Sequence, residues 1–160
     1  MEFQRIIDKR SCIVYLKTNI IMIDNNIKSN ISQGEELEEL IAQLTQNGMQ
    51  IKIDKNDLDY LYHANAILKR RIISFPHFSE TRIDSIIREM NSYSNICHKD
   101  YNKVILYIAT SSKNPLQMDE MNQIVSLISG YFTSDTECIW GMATDEKLED
   151  KLLVIIVCSN

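Results

Sequence analysis

Residues 152–158, Leu-Leu-Val-Ile-Ile-Val-Cys, are apolar at every position. A strand with two apolar faces needs cover on both, so this run must lie inside a sheet rather than on its edge. A second apolar run, residues 138–143, precedes it, and an acidic, turn-prone segment at 144–151 separates the two. That pattern predicts two paired strands with a solvated connection, a hairpin as the last element, and hence a core strand closing the chain.

At 160 residues there is room for one domain with a real core, or for one domain with a short appendage. No apolar run approaches the roughly 20 residues of a membrane span. The charged start MEFQRIIDKR lacks the apolar core of a signal peptide, so the expected setting is cytoplasmic. Net charge is −5 and Lys69-Arg70-Arg71 is the one basic cluster, which argues against nucleic-acid binding. Cys12, Cys97, Cys138 and Cys158 stand apart, three of them in or beside apolar runs, and read as buried free thiols without the spacing of a zinc site. The four glycines, Gly34, Gly48, Gly130 and Gly141, are dispersed. A phosphate-cradling loop needs clustered glycines, so the chain is expected to bind no nucleotide, need no cofactor and not be an enzyme.

Along the chain, residues 11–16 and 19–23 read as a strand pair, with Asp24-Asn25-Asn26 as a turn and a polar loop to residue 33. Ser32 with Glu35 forms a capping-box signature, and Leu37, Leu40, Ile41 and Leu44 follow at helical spacing, predicting a helix over 34–47 that ends at Gly48. Residues 49–53 alternate as a short strand or extended loop. Asp54-Lys55-Asn56-Asp57 opens a shorter helical pattern with Leu58, Leu61 and Tyr62 on one face. Residues 67–75 are a strand ended by Pro76. Ser79 reads as the N-cap of a helix with Ile83, Ile86, Ile87 and Met90 inward. A loop at 91–102, a buried strand at 104–109 and a helix from Asn114-Pro115 with a Met121, Ile124, Val125, Ile128 stripe follow.

Strand, helix, strand, helix, strand, strand from residue 67 onward implies an α+β, two-layer sandwich: a mixed four-stranded sheet with helices on one face. A helix and the N-terminal strand pair precede it. The segment Trp140-Gly141-Met142-Ala143-Thr144-Asp145-Glu146-Lys147-Leu148-Glu149-Asp150-Lys151-Leu152 resembles the last strand pair of FtsZ, the bacterial tubulin homologue, where an aromatic-Gly-Ala start leads through Asp-Glu-x-Leu-x-Asp into a Val/Ile strand. Glu80-Thr81-Arg82 is similar to the Glu-Asn-Arg that opens a helix of that family, and residues 103–110 to its Gly-Val-Leu-x-Asn-Ile strand. The resemblance covers 67–158 and implies an FtsZ C-terminal-domain fold, without the Gly-Gly-Gly-Thr-Gly GTPase signature. The chain then divides into an extension at 1–31, a helix with a loop at 32–66, and the C-terminal-like domain at 67–160.

Ile51-Lys52-Ile53-Asp54-Lys55-Asn56-Asp57-Leu58 resembles the family's synergy loop, Asn-x-Asp-Phe-Ala-Asp-Val. In FtsZ that loop enters the neighbouring subunit's nucleotide pocket, where its aspartates help position water for GTP hydrolysis. The matching residues are Asp54 and Asp57. Lys52 replaces the family's Asn, and Lys55-Asn56 its Phe-Ala, which keeps affinity for polyphosphate but not the amide's hydrogen bonding. Lys52, Asp54, Lys55 and Asp57 are thus a candidate partner interface, with plain helix capping by Asp54 and Asp57 as the other reading.

His63, His77 and His98 are scattered, and Cys97-His98 adjoin in a loop without a nucleophile-and-base arrangement. Phe75-Pro76-His77-Phe78 reads as a rigid strand-to-helix turn, residues 145–150 as a solvated turn, and Met118, Met121 and Met142 as core or rim packing. The resemblance implies a non-catalytic domain that engages FtsZ or a related cytoskeletal filament in cell division and caps its nucleotide-exposing end. The alternatives are a self-associating α+β module, ligand-binding or not, pairing through an exposed edge at 67–75, or a portion of a larger FtsZ-like GTPase.

Overall fold

The structure is a computed structural model and describes residues 12–16, 19–23, 33–46, 48–92 and 101–160. Its strands are β1 (Cys12–Leu16), β2 (Asn19–Ile23), β3 (Met49–Ile51), β4 (Ala66–Ile73), β5 (Lys103–Thr110), β6 (Glu137–Thr144) and β7 (Leu153–Ser159). The α-helices are α1 (Gln33–Leu44), α2 (Arg82–Asn91) and α3 (Met118–Tyr131). Among the described residues, these seven strands join one mixed sheet in the order β2-β1-β4-β7-β5-β6-β3. Of its pairs, β5 and β6 run parallel, with α3 as the crossover that a parallel pair requires.

The expected four strands with α2 and α3 on one face form the centre of this sheet. Three further strands widen it, and its other face is covered as well. In β5 and β7 alternate residues point to opposite faces. Ile105, Tyr107, Leu153, Ile155 and Val157 pack with Leu40, Ile41 and Leu44 of α1 and with Leu58 and Leu61. Val104, Leu106, Ile108, Val154 and Ile156 pack with Ile83, Ile86 and Met90 of α2 and Ile124 and Ile128 of α3. Every residue of β7 is buried, as its unbroken apolar run requires.

Several expectations need correction. The last two strands are not a hairpin: β5 lies between them, with Ile105 opposite Ile139 of β6 on one side and Val157 of β7 on the other. Because β5 is itself apolar on both faces, it takes a central place. The acidic connection arches over its end, where Asp145 N–H donates to the Thr110 carbonyl (2.9 Å) and Ser112 N–H to Glu146 Oε1 (3.2 Å). That connection is also less solvated than expected, since Leu148 is buried within a short 3-10 turn. Nor is β4 an exposed edge, because it pairs with β1 on one side and β7 on the other.

The predicted strand pair at the N-terminus is β1 and β2, antiparallel from Cys12–Ile23 to Leu16–Asn19. The turn at 24–26 with the loop to residue 32, the Ser32 cap, and Cys97 and His98 lie outside the described residues. Helix starts fall elsewhere than proposed. Thr81, not Ser79, caps α2 in a capping box with Asp84, and Gln117, not Asn114, precedes α3 with Glu120 as its box partner. Val125 leaves the α3 stripe and is 43% exposed, Met118 is 75% exposed, and Cys138 is exposed whereas Cys158 is buried.

Arg82, the first residue of α2, ties this half together. Its guanidinium meets Glu120 through Nε–Oε1 and Nη2–Oε2, both 2.7 Å, and donates to the carbonyls of Asn114 (2.9 Å) and Pro115 (2.8 Å). The two helix starts are thereby fixed side by side. Such planar two-bond recognition is what Arg supplies and Lys does not.

Candidate interaction surface

Gly48, at φ +86°, turns the chain out of α1 into β3, a conformation that suits glycine. β3 pairs antiparallel with β6 at the sheet's edge, and Gln50 Nε2 donates to Thr144 Oγ1 (3.0 Å). The chain then runs down beside β6. Ile53 is 1% exposed and seats directly over Gly141, where an added Cβ would come 2.6 Å from Ile53 Cγ1 and 2.7 Å from Met49 Cε. Glycine in a strand commonly marks such a close approach. Five residues later, Leu58 is fully buried.

Between these two anchors, Asp54, Lys55, Asn56 and Asp57 are all exposed, as is Lys52 just before them. The backbone that carries them is fixed. Asp54 Oδ1 accepts from Asn56 N–H (3.0 Å), and the Asp54 carbonyl accepts from Asp57 N–H (3.1 Å). Asp54 is the N-cap of the short helix expected here, which is a 3-10 helix over Lys55–Tyr62. With three residues per turn, Leu58 and Leu61 share the inward face. Tyr62 falls off that face, is 44% exposed and donates to Glu38 Oε1 of α1 (2.6 Å).

The helix ends against the start of β5 and β6. Lys103 Nζ lies 4.4 Å from the centre of the Tyr60 ring and 2.9 Å from Glu137 Oε2. Burial pushes the Tyr60 phenol up to about 12. The segment is therefore pinned at Gly48, Ile53, Leu58, Leu61 and Tyr60, and it holds out two carboxylates and two ammonium groups between the pins.

The four residues singled out in the sequence, Lys52, Asp54, Lys55 and Asp57, are all exposed along this one segment. One Asp54 oxygen is engaged in capping, whereas the Asp57 carboxylate makes no hydrogen bond among the described residues. A free carboxylate can orient water beside a metal-bound phosphate, and an ammonium can meet phosphate oxygens as a point charge. The anchors Ile53 and Gly141 escaped the sequence reading. The only signal for them was a lone glycine inside an apolar strand. His63, which ends the same short helix, and His77 are exposed.

No protein-family model and no curated protein matches the chain. Solved structures do. An empty FtsZ dimer from M. jannaschii superposes with a TM-score of 0.59 at 15% identity, over 82% of this chain and 40% of that one. A mutant FtsZ from M. jannaschii gives 0.57 at 18% identity, over 86% and 43%. GDP-form protofilaments of Bacillus thuringiensis serovar israelensis TubZ give 0.51 at 13% identity, over 81% and 36%. The chain spans well under half the length of these proteins, and at such identities the likeness is one of fold. No described helix is long and apolar enough to cross a membrane. The sheet with its flanking helices has the FtsZ- and tubulin-like fold, in the part that corresponds to the C-terminal domain.

Proposed function

We propose that this chain is a non-catalytic, tubulin-like domain that docks through residues 52–57 onto the nucleotide-bearing end of FtsZ or a related filament subunit and caps it. The observation that carries this reading is the charged loop, with Asp54, Lys55 and Asp57 exposed between the buried anchors Ile53 and Leu58 and Lys52 exposed just before them. A loop fixed in its presented form loses little entropy on docking. The solved neighbours are recorded as a dimer and as protofilaments, so their fold is one that assembles. The 160 residues contain no glycine cluster for nucleotide phosphates, so these residues by themselves supply the next subunit with no phosphate-cradling loop. The chain's own contribution to hydrolysis is at most Asp57 and Asp54 placed in the neighbour's pocket.

The test is pull-down of the host's FtsZ with GTP and with GDP, alongside light scattering of GTP-driven assembly. Nucleotide-dependent capture, and shorter or fewer filaments at equimolar dose, are expected. Both should fade in Asp54→Ala/Asp57→Ala. Because Asp54 also caps a helix, Lys52→Glu/Asp57→Asn is the cleaner variant, since neither side chain holds the fold. Unchanged assembly at equimolar dose removes the capping role.

A further inference from the structure

The loop between β4 and α2 presents aromatic side chains to solvent by construction. Phe75 is 63% exposed and Phe78 fully so. Neither exposure reflects a slack backbone. Buried Ser74 exchanges hydrogen bonds with Leu152, its N–H donating to the carbonyl (2.9 Å) and its Oγ accepting from the N–H (2.9 Å). Phe75 N–H donates to the buried Ser85 Oγ (2.8 Å), and its carbonyl accepts from Arg88 Nη2 (3.3 Å). Glu80 Oε2 accepts from His77 N–H (2.8 Å) and is held by Arg88. Next to Phe78, Ser79 adopts φ +69°, a left-handed conformation uncommon for serine. Beside this knob lies a cavity of about 450 Å³, lined by Ser74, Phe75, Pro76, Arg82, Asp150 and Lys151.

A ring that protrudes, an adjoining cavity, and an acid next to a base on the cavity's rim make a self-complementary patch. A two-fold contact needs just that combination, because each feature must meet its counterpart on an identical surface. We propose that the chain forms a homodimer across this patch. Phe78 of each copy enters the other's cavity, and Asp150 of each faces Lys151 of the other. The patch lies where β4 ends and β7 begins, away from the loop at 52–57, so dimerisation and filament docking are separate properties.

Covering a Phe side chain removes roughly 150–250 Å² from water. Two rings from each copy, with the walls they cover, bring the contact to about 1,000 Å², the lower end of specific interfaces. The dimer is accordingly weak and concentration-dependent.

Sedimentation velocity over a wide concentration range tests this. The wild type should pass from monomer to dimer. Phe78→Ser should weaken the dimer about a hundredfold, roughly tenfold for each buried ring. Since Phe78 is fully exposed in the monomer, its loss should leave the thermal midpoint unchanged. Asp150→Lys or Lys151→Asp alone should weaken association about tenfold, because like charges then meet. The swap Asp150→Lys/Lys151→Asp should restore it to within about threefold. A wild type that stays monomeric overturns the proposal. So does a dimer indifferent to Phe78→Ser, as pairing through the β2 edge would be, or a swap that fails to restore association.

Discussion

Replacing Gly141 by alanine tests whether the candidate loop is held by its seat on β6. The new Cβ would lie 2.6 Å from Ile53 Cγ1, 2.8 Å from Ile53 Cδ1 and 2.7 Å from Met49 Cε. Ordinary carbon contacts are about 3.5–4.0 Å, so the overlap approaches 1 Å. Met49 can swing its methyl aside, because its unbranched side chain is adaptable. Ile53 is 1% exposed and β-branched, so it has nowhere to go. Overpacking of that kind costs about 1–3 kcal/mol, and the lower entropy of an unfolded alanine returns about 0.4–1 kcal/mol. The expected net loss is about 1–2 kcal/mol.

Ile53→Ala alone should cost about 2–5 kcal/mol through the cavity it leaves. In the double variant the methyl added by Gly141→Ala meets no isoleucine and fills part of that cavity. The two losses should therefore fall short of additive by about 1–2 kcal/mol. Urea unfolding followed by the fluorescence of Trp140, the single tryptophan and the residue before Gly141, reads this directly. Additivity within about 0.5 kcal/mol would refute the seat. A correct seat also predicts that Gly141→Ala weakens filament capture without touching any exposed loop residue.

Three further outcomes follow from the same structure. Arg82→Ala should destabilise by about 3–5 kcal/mol, because it strands Glu120 with only 12% of its side chain exposed, and Arg82→Lys should recover little of this in thermal unfolding. Burial alone would raise the Glu120 carboxyl, but hydrogen bonds from Arg82 and the Gln117 backbone overcome this and hold it below the ordinary 4.5. A depressed folded value means stability present above pH 4.5 and lost as pH falls through the folded one, and Glu120→Gln should flatten that acid limb of the unfolding midpoint. The Tyr60 phenol shifts the other way, from 10.0 to about 12 by burial, so its contribution is complete below pH 10 and lost as pH rises towards 12; Tyr60→Phe should remove that share of the alkaline loss.

What the sequence disclosed was local, and what it hid was long-range. The burial of β7 and β5 could be read from runs without a polar residue, and α1 and α2 from their spacing. The pairing of β6 with β7 could not, because nearness in the chain favours a hairpin and nothing local reveals that β5 comes between. Evidence against the hairpin was nonetheless present: residues 104–109 are as apolar as residues 153–158 and need two neighbours as well. Leu58 and Leu61 are spaced for either helix type, and only Tyr62 separates the two. The caps at Thr81 and Gln117 carry Asp84 and Glu120 three residues on, a stronger sign than the residue type at Ser79 or Asn114. In the candidate loop, Asp54 as a cap was legible. The seat of Ile53 on Gly141, across almost ninety positions, was not.

The placing of β7 sets an order of events during synthesis. Among the described residues, the strands β2-β1-β4 and β5-β6-β3 form two blocks that share no ladder, and β7 is the bridge between them. It is also translated after the other six. Until residue 159 leaves the ribosome, both blocks display open apolar borders at β4 and β5, the strands most prone to wrong partners. Pairing of β7 then closes both borders at once, so the sheet becomes cooperative in that single step, and a chain without β7 would be two sticky halves in need of a chaperone.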